Sequence, residues 1–176
     1  MIAQRCRFRS MATPWGEFCL VHDSQGQLLT CWDRNALPVD AVEDDALEPS
    51  LVAQLTSYLA HGRAHFDWVP TPDGPHFFRR CWDACRAIAP GETLTYAELA
   101  LAAGGTPHAA RAAGQAMRRN HLPIIIPCHR VVGATGGLHG YAGSQEPDGL
   151  PLRRKAGLLA LERAAVGAST GAATLT

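Results

Sequence analysis

Residues 124–133, IIIPCHRVVG, deliver a cysteine, a histidine and an arginine in succession after an apolar run closed by proline. A cysteine is mostly protonated at neutral pH and becomes a nucleophile when a cation, a histidine or a helix N-terminus lowers its pKa. Cys128 is followed directly by His129 and Arg130, which supply two such groups. Three consecutive isoleucines are apolar enough for a buried strand, so whatever follows them is held on a rigid element. Adjacent strand residues point to opposite faces, and His129 then reaches the thiol only if the chain bends after Pro127 or a water bridges the two. A carboxylate would also be wanted to orient the imidazole. From chemistry alone two readings stand: a working nucleophile, or a buried structural thiol.

The other five cysteines, at 6, 19, 31, 81 and 85, read as free thiols, because nothing routes this chain to an oxidising compartment. Cys81 and Cys85 lie on one helical stripe with apolar residues at 77, 78, 82 and 88, where core packing is the plain explanation. Cys6, Cys19 and His22 are conceivable metal ligands, but there is no CxxC pair and two of the cysteines fall in strand-like runs; no metal is expected.

The elements that must position the thiol follow from the rest of the 176 residues, 47% of them hydrophobic, enough for one large domain or two small ones. The basic N-terminus has no apolar segment behind it, and nothing approaches the ~18 apolar residues of a membrane span, so a cytoplasmic protein with no membrane partner is expected. Residues 5–34 alternate loosely and read as two or three strands in a meander, with turns at ATPWGE and DSQGQ. LPVDAVEDDALEPS is an acidic connector, Ser50 can cap a helix to Leu59, and Gly62 stops it. VPTPDGP reads as a linker. A helix at 77–88 ends at Pro90-Gly91, and Thr95 with Glu98 makes a capping box for a helix to about Ala103. After Gly104-Gly105, Thr106 and Pro107 open a helix to about Arg119. Helix, glycine turn and helix outline a helix-turn-helix. Its second helix is slim, with alanine at 109, 110, 112 and 113 and glycine at 114 around Arg111. Such a helix can approach a nucleic-acid backbone closely or pack tightly against its neighbours. The formal net charge is zero, but residues 1–76 carry 5 arginines against 10 acids and residues 77–176 carry 11 cations against 6 acids. Only the second half suits a polyanion.

PCHRVVG, preceded by RRNHLPIII and followed by GYAG and RRKAGLLALE, closely resembles the active-site block of the O6-alkylguanine-DNA alkyltransferases, the methylated-DNA–protein-cysteine methyltransferases. The resemblance takes in FFRRCWDACRAIAPGETLTYAELA and PHAARAAGQAMRRN, and so covers nearly all of residues 77–162; in the N-terminal half it is faint, around TPWGEF. It implies an α+β protein: a small N-terminal α/β scaffold with antiparallel strands over 1–74, a mainly helical transfer domain with the helix-turn-helix over 75–165, and a disordered tail over 166–176. It implies direct-reversal DNA repair, in which Cys128 takes an alkyl group irreversibly from O6-alkylguanine, and from O4-alkylthymine, in double-stranded DNA. His129 would relay the thiol's proton, through a water, toward Glu162. Asn120 would brace the loop, and Tyr96 would crowd the phosphate beyond the target and help extrude the nucleotide. Arg111 would fill the gap in the base stack. Thr95, Ala110, Gly114 and Arg118 would complete the DNA surface, with Arg119 beside them on a phosphate. Tyr141, Val131, Met117, Ala142 and Gly143 would wall the pocket. The protein would act as a monomer without cofactor.

The chain departs from the family pattern in three places. SQEPDGLPL, residues 144–152, lengthens the pocket loop; Gly157 stands where an aromatic residue is common after the lysine, which would loosen the last helix; and the family's zinc site is not reproduced. Two other readings remain, a damage-recognition protein that flips alkylated bases without repairing them and a Cys-His hydrolase unrelated to DNA.

Overall fold

The structure, a computed structural model, describes residues 5–64, 66, 69–138, 140–141 and 149–172, with side chains as far as Ala168. Strands β1 (Arg7–Thr13), β2 (Gly16–His22) and β3 (Leu28–Cys31) form an antiparallel meander. A two-residue strand, β4 (Val42–Glu43), pairs parallel with β1 and completes a sheet of order β3-β2-β1-β4. The acidic connector thus supplies an edge strand that its composition hid.

Helix α1 (Pro49–His61) starts one residue before the expected cap. Glu48 is the N-cap residue, in a left-handed conformation with no side-chain cap, and Pro49 opens the helix with its φ already set. Ser50 instead accepts a hydrogen bond from Gln54 Nε2 at 3.2 Å. Gly62 ends α1 at φ 70°, where an added Cβ would stand 2.6 Å from the Leu161 carbonyl oxygen, so the close approach of this turn to the last helix requires glycine.

Beyond residue 75 the chain is mainly helical: α2 (His76–Arg86), α3 (Tyr96–Ala102), α4 (Ala110–Arg118) and α5 (Leu150–Ala172). The Thr95–Glu98 capping box forms in full at the start of α3. Thr106 does not cap α4 with its side chain; Pro107–Ala109 make a 3-10 turn first and α4 begins at Ala110. Trp82 Nε1 donates to the Ala116 carbonyl oxygen at 2.8 Å and fastens α4 to α2. Leu150–Leu152, expected in the pocket loop, already belong to α5, and the helix continues through GASTGA to Ala172 where disorder was expected.

Two further strands, β5 (Leu94–Thr95) and β6 (Val131–Val132), pair in parallel and tie the start of α3 to the segment following Cys128. One hydrophobic cluster runs through both halves, from Met11, Phe18, Leu20 and Trp32 through Leu51, Leu55 and Tyr58 to Cys81, Leu99, Ile126 and Leu158. Among the described residues no helix is long and apolar enough to cross a membrane.

Gly157 does not loosen α5. The Trp15 indole lies on it, and a Cβ there would stand 2.2 Å from Trp15 Nε1, so an aromatic group from the N-terminal sheet fills the space.

Candidate functional site

The turn carrying Cys128 begins at Asn120, just past α4. Its side-chain amide donates to the Ile126 carbonyl oxygen at 2.8 Å, while its Oδ1 accepts from the Leu122 N–H at 2.9 Å. Ile126 N–H returns to the Leu122 carbonyl oxygen at 2.8 Å. The isoleucine run is therefore a buried turn and not the strand its composition suggests. Pro123 and Pro127 each remove a ladder donor at its edges, and Ile124 takes φ 74°. A β-branched residue in that region is a true outlier, of the kind that clusters at working sites. Thr30 on β3 holds the same turn from outside: its N–H donates to the His121 carbonyl oxygen at 2.8 Å and its hydroxyl to that of Pro123 at 3.0 Å.

After Pro127 the chain bends into a 3-10 turn, Cys128–Arg130, all three residues buried. This bend frees His129 from strand alternation. His129 Nε2 lies 2.8 Å from Glu162 Oε1 and 3.1 Å from the Tyr58 hydroxyl. Tyr58 donates to the same carboxylate oxygen. Arg130 grips Glu162 with Nε at 3.0 Å from Oε2 and Nη2 at 2.7 Å from Oε1, and Gly91 N–H reaches Oε2 at 3.0 Å. Burial would raise the Glu162 carboxyl, but hydrogen bonds from His129, Arg130 and Tyr58 outweigh it and hold the group well below the usual carboxylate range. With Nε2–H aimed at a permanent anion, Nδ1 is left as the acceptor nitrogen of a neutral imidazole, and burial lowers the His129 pKa further toward that form. Nδ1 is buried with no hydrogen-bond partner among the described residues.

Burial pushes the Cys128 thiol up; a hydrogen bond with Asn120, the Lys155 charge and the backbone N–H groups of Cys128 and His129 pull the other way. The resting site thus holds a thiol, and its activation depends on passing the proton on. Lys155, 1% exposed, donates from Nζ to the Val131 carbonyl oxygen at 2.7 Å and to that of Gly140 at 3.3 Å, and burial lowers its pKa to about 8. Tyr141 is buried near Cys128, and its hydroxyl accepts from Trp32 Nε1 at 3.2 Å. Arg154 supports this wall from behind, with its guanidinium 5.0 Å from the Trp32 ring centroid and hydrogen bonds to the Trp15 and Trp32 carbonyls.

Cys128, His129, Glu162, Asn120, Tyr141 and Val131 therefore come together. Tyr96, half-buried at the first turn of α3, lies close enough to Cys128 for the thiolate charge to add to the rise that burial imposes on its phenol. Gly114 faces Tyr96, where an added Cβ would meet the ring at 3.7 Å. Arg111 and Arg118 are exposed on α4, Ala110 and Thr95 are half-buried, and Met117 is buried beneath. Arg119 lies with its guanidinium 5.5 Å from the Phe78 ring centroid, so part of it serves packing. Ala142 and Gly143, with most of the lengthened loop, fall outside the described residues.

Sequence reasoning missed Tyr58, Lys155 and the role of Arg130. Arg130 stood beside the thiol and a buried carboxylate demands a cation, so that signal was available. Tyr58 gave none, being one tyrosine on a helix of the other half. Tyr58→Phe is expected to lower stability by about 1.5–3 kcal/mol, the value of a hydrogen bond to a charged group. A fall in the urea midpoint at constant slope would show it, and an unchanged midpoint would contradict the geometry.

Comparison with known proteins supplies the context. The family model described as the DNA binding domain of 6-O-methylguanine DNA methyltransferase matches residues 76–164. A Methanosarcina acetivorans protein named methylated-DNA–protein-cysteine methyltransferase is 37% identical over 134 residues, 74% of this chain and 85% of its own. One of the same name from Mycobacterium leprae is 39% identical over 158 residues, 88% and 91% of the two chains. The crystal structure of Mycobacterium tuberculosis O6-methylguanine methyltransferase superposes with a TM-score of 0.75 at 32% identity, covering 91% of this chain and 94% of that one. The same organism's OGT in complex with DNA gives 0.75 at 33% identity, over 90% and 94%.

Proposed function

The chain belongs to the 6-O-methylguanine DNA methyltransferase family, and on that footing we propose that it repairs double-stranded DNA as a methylated-DNA–protein-cysteine methyltransferase, moving the alkyl group of O6-alkylguanine onto its own Cys128. The observation that carries this reading is the buried thiol turn whose histidine is fixed on Glu162 by hydrogen bonding, with its second nitrogen left as an acceptor.

The transfer is an in-line displacement at carbon: the Cys128 sulfur forms a bond to the alkyl carbon while the carbon–oxygen bond to guanine breaks. The thiol proton must leave first. His129 Nδ1 accepts it, through a water, and the imidazolium so formed is held by the Glu162 carboxylate through Nε2–H. Asn120 keeps the thiol turn in shape while this happens. The base must reach the sulfur, so it leaves the stack, at a cost of a few kcal/mol that is lower for a badly paired lesion. Arg111, exposed on α4, takes the vacated space, and Arg118 with the start of α3 meets the phosphates. Tyr96 crowds the backbone beyond the target. Alanine and glycine on α4 let the helix enter the minor groove closely. Tyr141 and the Val131 backbone wall the pocket, and O4-alkylthymine fits the same chemistry.

The thioether is stable, so each molecule acts once, as a monomer and without cofactor. We place the boundary between scaffold and transfer unit at residues 74 and 75, and the acidic N-terminal unit takes little part in holding DNA.

Intact-protein mass spectrometry after mixing with a duplex bearing one O6-methylguanine tests the proposal. Wild-type chain is expected to gain one methyl group per molecule and Cys128→Ala none. Lesion binding without a mass gain would overturn alkyl transfer, and a gain surviving in Cys128→Ala would overturn the acceptor.

A further inference from the structure

The four-stranded sheet carries a second, smaller core on its other face, made by Cys6, Phe8, Cys19 and Val21 with Leu29, Cys31, Leu37 and Ala41 packed on it. Three of the six cysteines meet there, and the proposed repair chemistry uses none of them. Cys19 on β2 and Cys31 on β3 are direct partners in the antiparallel register. Such partners have Cα atoms about 4.5–5.5 Å apart with side chains on one face, inside the window of about 4.4–6.8 Å that a disulfide needs. Both thiols are free, and Cys31 Sγ donates to the Asp33 carbonyl oxygen at 3.6 Å.

The pair is unequal in two ways. Cys19 is fully buried, while Cys31 is half-buried and the more accessible of the two. The neighbouring thiol raises the Cys19 pKa and lowers that of Cys31, so the more accessible sulfur is the one that loses its proton more readily. This asymmetry matches the division of labour between an attacking and a resolving cysteine. Cys81 is buried with its pKa raised to about 11 by burial, and Cys85 and Cys128 are likewise buried and raised, so none of the three competes for an oxidant on equal terms.

We propose that Cys19 and Cys31 are a dithiol modification site, closed to a disulfide by a peroxide and reopened by a thiol reductant. The Cys31 thiolate attacks one peroxide oxygen; the O–O bond breaks, and the departing hydroxide is protonated to water, leaving a sulfenic acid. The Cys19 sulfur then displaces the hydroxyl from Cys31. The S–S bond forms as the S–O bond breaks, and the Cys19 proton leaves with the hydroxyl as a second water. Two thiols are oxidised and one peroxide is reduced to two waters. Thr30, on the opposite face of β3, holds the thiol turn and Trp32, just past the strand's end, holds Tyr141, so the bond would lock the strand that braces the repair site.

The test exposes the full-length chain to hydrogen peroxide, blocks remaining thiols with iodoacetamide and maps peptides without reduction. A Cys19–Cys31 linked peptide lacking two hydrogens and reversed by dithiothreitol is expected, surviving in Cys6→Ser and abolished in Cys31→Ser. Methyl transfer by reduced Cys31→Ser should match that of the parent, which separates this site from the repair chemistry. Alkylated or over-oxidised Cys31 without the linked peptide would overturn the proposal, as would pairing of either cysteine with Cys6. The map of the unmutated chain decides between these outcomes even if Cys31→Ser folds poorly.

Discussion

Replacing Glu162 with glutamine is expected to destabilise the folded chain by about 3–5 kcal/mol, because it strips the counter-ion from a buried arginine while leaving the cavity filled. Arg130 is 6% exposed and Glu162 fully buried. The guanidinium Nε and Nη2 point at this carboxylate, and a glutamine can satisfy neither the charge nor both directions of the grip. A whole domain of this kind is stable by only about 5–15 kcal/mol, so the loss is a large fraction of the total. Urea or thermal unfolding at neutral pH would measure it, and a change under about 1 kcal/mol would mean the ion pair does not form as described. The pH dependence has a definite sign. The folded-state carboxyl is held below its unfolded value, so its contribution is complete above the ordinary carboxylate range and is lost as pH falls toward the depressed value. The parent and Glu162→Gln should therefore converge in stability in acid. Methyl transfer by the variant should fall as well, since His129 loses the anion that fixes its tautomer.

Residues 77–176 expressed alone are expected to show no cooperative unfolding transition and no transfer. The helical half does not own its core: Leu51, Leu55 and Tyr58 of α1 and Phe18, Leu20 and Trp32 of the sheet belong to the same cluster as Leu99, Ile126 and Leu158. Each large side chain of that kind contributes about 1.5–3 kcal/mol by its burial, so losing half a dozen exhausts the stability of the whole. Polar ties go with them. Tyr58 leaves Glu162, Thr30 leaves the thiol turn and Trp32 leaves Tyr141. A fragment as stable and active as the full chain would show that the Pro-Gly stretch at 69–75 separates two independent folding units.

The sequence was most readable where structure is local. The Thr95–Glu98 capping box, the stripe on α2 and the glycine turn before α4 depend on residues three or four apart, and they formed as expected. It was least readable where a distant partner decides. The isoleucine run has strand composition, but Asn120, two prolines and Thr30 fold it into a turn. Gly157 looked like a defect until Trp15, far away in the chain, was seen to occupy the space. At the candidate site, Cys128, His129 and Glu162 stood out by their motif, whereas Tyr58 had no local pattern to betray it.

The two-rung ladder between Leu94–Thr95 and Val131–Val132 has a consequence for which lesions can be handled. On the proposed function, it splints the helices that would meet DNA to the turn that bears the sulfur, so that surface and nucleophile form one piece. The depth at which a displaced base meets the sulfur is then set when the chain folds and is not adjusted on contact. The protein then behaves as a gauge: a substituent that reaches the sulfur at that depth is taken up, and one that holds the base too far out or too far aside is refused without any separate recognition step.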